Sequence, residues 1–122
     1  MNENIEKWII LLRNRINTFI RNAEKKLDEF RSELEDIPSD KQEELEDLEA
    51  NSEILLDTLK SLEKQLNEIE QQIIEIKALP EEEKIEIIEE INNRLERIEE
   101  KIDALDEDFS DLVSEIDSYL EV

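Results

Sequence analysis

The chain has 122 residues, of which 15 are basic and 37 acidic, giving a formal net charge of −22, and it contains no cysteine, histidine or glycine. Those absences exclude disulfides, thiolate and imidazole metal sites, cysteine nucleophiles and phosphate-cradling glycine loops, while the charge excludes ordinary nucleic-acid binding because phosphates would be repelled. The longest apolar run, Trp8-Ile9-Ile10-Leu11-Leu12, falls far short of the roughly 20 residues a membrane span needs, and is too short and wrongly flanked for a secretory signal peptide.

Two prolines, Pro38 and Pro80, divide the sequence into three long segments. Each lacks an amide donor and pushes the preceding residue away from helical angles. The spacing predicts helices over 2–36, 40–77 and 80–120. In the first, apolar residues recur at Ile5, Ile9, Leu12, Ile16, Ile20, Ala23, Leu27, Phe30 and Leu34. Two consecutive steps of four between Leu12 and Ile20 form a stutter, which locally relaxes a supercoil.

At the first connection, Ser39 with Gln42 or Asp40 with Glu43 is a candidate capping box for the second helix. The second seam is strict: Leu45, Leu48, Ser52, Leu55, Leu59, Leu62, Leu66, Ile69, Ile73 and Ile76 alternate steps of three and four. Pro80 is expected in the first turn of the third helix, followed by Glu81, Glu82 and Glu83 where the helix dipole favours negative charge. The third seam runs Ile88, Ile91, Leu95, Ile98, Ile102, Leu105, Phe109, Leu112, Ile116 and Tyr119.

Short connections require the helices to run up, down and up, so the fold class is all-α: an antiparallel three-helix bundle with coiled-coil-like heptad packing, forming one domain over 1–122. Folding the chain about its prolines places Ala23 beside Ser52 and Ser52 beside Phe109, two small side chains facing a large one. The same construction sets Trp8 near Ile69 and Ile91, and Phe30 near Leu48 and Leu112. Apolar residues outside the seams, Ile10, Leu11, Ile54, Leu56, Ile74, Ile85 and Ile87, are expected to widen the core. The group at Trp8, Ile10 and Leu11 has two other readings, a partner contact or a membrane-surface helix, and repulsion from anionic lipid opposes the latter.

Charge is uneven along the chain. Through Ile37 there are seven basic and eight acidic residues, whereas the remainder holds eight basic and 29 acidic. The first helix is therefore the electrostatic partner of the other two, with Arg13, Arg15, Arg21, Lys25, Lys26 and Arg31 expected to reach their acidic flanks.

Little in the pattern points to chemistry. The Glu-x-x-His pairing of two-iron bundles cannot be written without histidine. The acidic stretch from Asp103 to Asp111 lacks the glycine of a calcium loop and crosses an unbroken helical seam, so it reads as a solvated face. Ser52 is expected to bond back to its own helix rather than line a ligand cavity. No catalytic, cofactor-binding or metal-ligating residue is assigned, no cofactor is expected, and the chain is not read as an enzyme. No partner is required, although the broad apolar faces leave room for a helical protein partner or self-association; nucleic acid and membrane are not expected partners.

Three heptad-bearing helices with an early tryptophan, Trp8, resemble a spectrin-type repeat, whose first helix carries a tryptophan and whose third packs back on it. The resemblance spans the chain and implies an interaction module, but the second and third helices exceed the usual repeat. The chain also resembles de novo designed helical bundles in its helix formers, idealised seams and lack of glycine, cysteine and histidine. Asn14, Asn17, Asn92 and Asn93 and the uneven charge depart from that pattern. Size and charge alone also resemble acidic proteins that mimic nucleic acid. The expected role is a structural scaffold without biochemical activity, located in the cytoplasm, that of the expression host for a designed chain.

Overall fold

The computed structural model describes the backbone of residues 2–36 and 39–120, and the side chains of 4–36 and 43–118. Three helices account for nearly all of it: α1 (Asn2–Leu34), α2 (Ser39–Ile76) and α3 (Glu81–Leu120), with every pair in contact. The chain is an all-α three-helix bundle. The expected caps at Ser39 and Asp40, the break at Pro38 and the seam position of Tyr119 lie outside the described side chains.

The helix ends differ slightly from those expected. Helix α1 stops at Leu34 and closes in a turn in which the Asp36 amide donates to the Glu33 carbonyl at 3.1 Å. Helix α2 stops at Ile76, and the Leu79 amide donates to the Ile76 carbonyl at 3.0 Å. Pro80 stands just before α3 instead of within it, because its carbonyl accepts from the amides of Glu83 at 3.1 Å and Lys84 at 3.2 Å. The ring therefore sits where no donor is needed, and Glu81, Glu82 and Glu83 occupy the first turn against the positive end of the helix dipole. Among the described residues no backbone takes a positive φ, which is how turns without glycine remain unstrained.

One continuous core runs along the bundle. All ten positions of the α2 seam are buried, Ser52 included. On α3, Ile88, Ile91, Leu95, Ile98, Ile102, Leu112 and Ile116 are buried, whereas Leu105 and Phe109 are only half-buried against the core. On α1 the seam holds through Ile16, after which the expected course fails: Phe19 is buried and Ile20 is half-buried. The buried positions become Ile16, Phe19, Ala23 and Leu27, so the two steps of four fall between Phe19 and Leu27. The cause is across the bundle, where the Phe19 and Phe109 rings lie 5.3 Å apart at 60°, a tilted geometry that aromatic pairs favour.

The wider core expected from the apolar residues beyond the seams forms only in part. Leu56 is buried and Ile87 half-buried, but Ile10, Leu11, Ile54, Ile74 and Ile85 are 55 to 67% exposed. Each helix gives one seam to the core, and Ile10, Leu11, Ile54 and Ile74, each one residue from a buried seam position and so about 100° around the helix from it, turn outward.

Candidate functional site

The charged ridge of α1 is the most elaborately built surface of the bundle. Toward α2, the Arg13 guanidinium donates to both Glu70 carboxylate oxygens at 2.9 Å and to Asn67 Oδ1 at 2.7 Å. Arg31 donates through Nε to Glu49 at 2.7 Å and through a terminal nitrogen to Glu53. Toward α3, Arg15 reaches Asp103 at 2.5 Å and Asp106 at 2.6 Å, and Lys26 reaches Asp117 at 2.7 Å. Four of the six basic residues expected to tie α1 to its neighbours do so. Arg21 and Lys25 are exposed and take part in no ion pair among the described residues. Two longer pairs run the other way, Lys60 to Glu24 at 3.9 Å and Lys77 to Glu6 at 3.7 Å.

These contacts alter proton affinities in the direction that holds the charges. Hydrogen bonding to Glu70, Asp103 and Glu49 raises the pKa values of Arg13, Arg15 and Arg31 respectively, partly opposed by burial. The Arg13 hydrogen bond holds Glu70 below the usual carboxylate range.

Trp8 is half-buried, and its indole Nε1–H donates to Glu99 Oε2 on α3 at 2.9 Å. Its partner is a carboxylate at the rim, a contact that apolar seam spacing does not encode. The indole buries its body and keeps its polar edge at the surface.

Ala23, Ser52 and Phe109 do come together, lining with Leu27, Leu55 and Leu112 a crevice of about 10 Å³. A space that small admits at most one water, so it holds no ligand. The Ser52 hydroxyl donates to the Leu48 carbonyl at 2.9 Å, as expected of a small buried hydroxyl inside a helix. Phe109 does not fill the layer from within, because its half-buried ring leans toward Phe19.

Among the described residues, three open grooves flank the seams. Between α1 and α2, Ile10 and Ile74 wall a space of about 280 Å³ bordered by Glu6, Glu70 and Lys77. Between α1 and α3, Arg15, Asp106 and Phe109 border about 380 Å³. Between α2 and α3, Ile54, Leu55, Leu105 and Leu112 underlie about 440 Å³, bordered by Asp108, Asp111 and Glu115.

Among the described residues no group of three or more acidic side chains is arranged to hold a metal ion, and no helix is long and apolar enough to cross a membrane. Every buried side-chain nitrogen and oxygen among them has a hydrogen-bond partner. No protein-family model, curated protein or solved structure matches the chain.

Proposed function

We infer that this chain is a structural scaffold: a helical bundle that closes upon itself and performs no chemistry of its own. The observation that carries this reading is the use made of α1. Its apolar face enters the shared core, and four of its cations are fixed on carboxylates of α2 and α3. Exposed ion pairs contribute only about 0 to 1 kcal/mol each. Their value lies in alignment, since a slip of one helical turn would separate several pairs together.

Helix formers throughout, strict seams on α2 and α3, and turns made without glycine support a designed origin for the scaffold. A second reading, a spectrin-like interaction module, is favoured by Trp8, whose position joins α1 to α3 through Glu99.

Urea unfolding across a hundredfold range of protein concentration tests self-closure. The scaffold reading expects one cooperative transition at a constant midpoint. A midpoint that rises with concentration would mean that the fold needs a second chain.

A further inference from the structure

The three grooves differ in how their charged borders are satisfied. Beside the α1–α2 groove, Glu6 pairs with Lys77 and Glu70 with Arg13. Beside the α1–α3 groove, Asp106 pairs with Arg15. The α2–α3 groove has no such closure: Asp108, Asp111 and Glu115 take part in no ion pair among the described residues. Opposite them α2 presents Asn51 and Thr58, and the Thr58 hydroxyl donates to the Ile54 carbonyl of its own helix at 2.9 Å.

The floor of this groove is apolar and incompletely covered. Leu55 and Leu112 are buried, Leu105 is half-buried, and Ile54 is 63% exposed. Along α3 the three carboxylates follow a three-then-four spacing, which aligns them on one face beside that floor. An apolar trough with a single-sign border suits a helix whose apolar stripe enters the trough while its flanking charges meet the border.

We propose that the α2–α3 groove binds a basic amphipathic helix of another protein. Ile54 and Leu105 receive its apolar stripe, and Asp108, Asp111 and Glu115 receive lysine or arginine at matching spacing. Charge complementarity selects this occupant over a second copy, because each copy carries −22 and α1 has already committed four of its cations within the bundle.

The test uses the full chain and a labelled synthetic peptide of about 15 residues, with leucines at i, i+4 and i+7 and lysines beside them. Fluorescence anisotropy should show saturable binding that weakens with salt. Ile54→Asp should weaken it by at least about tenfold, as should the combined change Asp108→Asn, Asp111→Asn and Glu115→Gln, while Ile10→Asp in the α1–α2 groove leaves it unchanged. All of these positions are solvent-exposed, and circular dichroism melts check that each variant folds. Equal binding of a scrambled peptide of the same composition would reduce the effect to net charge and overturn the proposal. So would undetectable binding, equal weakening by Ile10→Asp, or a peptide-free dimer that Ile54→Asp dissociates.

Discussion

Arg13 and Glu70 face each other across α1 and α2 as a two-bonded pair, each guanidinium nitrogen 2.9 Å from its own carboxylate oxygen. The fork geometry suits arginine and not lysine. The Glu70 pKa is lowered mainly by that hydrogen bond, so the folded chain binds this proton more weakly than the unfolded one. The stabilisation is therefore complete above the ordinary glutamate value of about 4.3 and is lost as pH falls through the lower folded value.

Glu70→Gln should accordingly destabilise the bundle at neutral pH by less than about 1 kcal/mol, a figure discounted for solvent screening because the Glu70 side chain is 47% exposed. At about pH 2 the variant and the parent should unfold alike. Urea midpoints at both pH values check this, and a difference that persists in acid would assign the effect to packing instead of charge.

Phe30 and Phe109 should respond differently to truncation. Phe30 is wholly buried, so Phe30→Ala should cost about 3 to 5 kcal/mol. Phe109→Ala should cost less, because the ring is half-buried. A double-mutant cycle with Phe19 should recover about 0.5 to 1.5 kcal/mol of coupling. Absence of coupling would mean that the two rings do not meet in solution.

Ser52 gives a prediction of opposite sign to that usual for a buried position. Its hydroxyl bonds only to Leu48 of its own helix, so Ser52→Ala leaves no orphaned donor and gains helix propensity. Stability should stay level or rise by up to about 0.5 kcal/mol. Ser52→Leu should instead cost about 1 to 3 kcal/mol, because the adjoining crevice of about 10 Å³ cannot take the added atoms. Thermal melts of both variants distinguish these outcomes.

Trp8 is the only tryptophan and reports on the α1–α3 seam. Its emission should be blue-shifted in the folded chain and move to the red on unfolding, since the indole is half-buried against the core. Glu99→Ala removes the acceptor at 2.9 Å and should alter the folded spectrum while leaving the unfolded one unchanged. An unaltered folded spectrum would place Trp8 away from α3.

Periodicity made the α2 seam legible throughout because steps of three and four run unbroken from Leu45 to Ile76. It failed at Phe19 and Ile20, where both side chains are apolar and either continues the helix. The selection is made by Phe109, 90 positions later in the chain, and steps of three and four carry no such information. The same limit explains Ile10, Leu11, Ile54, Ile74 and Ile85: apolar character reveals that burial is favourable, but not whether a neighbouring helix is wide enough to provide it. Of the acidic border of the α2–α3 groove, Asp108 and Asp111 are legible only as part of the acidic stretch from Asp103 to Asp111, and Glu115 lies outside it. The border's distinctness comes from where the cations of α1 go, which depends on the packed geometry.

Closure of one chain into three side-by-side helices is read out by small-angle scattering combined with light scattering. A self-closed bundle gives a one-chain mass at every dilution and a longest dimension near that of α3, about 60 Å for its 40 residues. A two-chain mass at all dilutions, or a rod about twice that length, would contradict it.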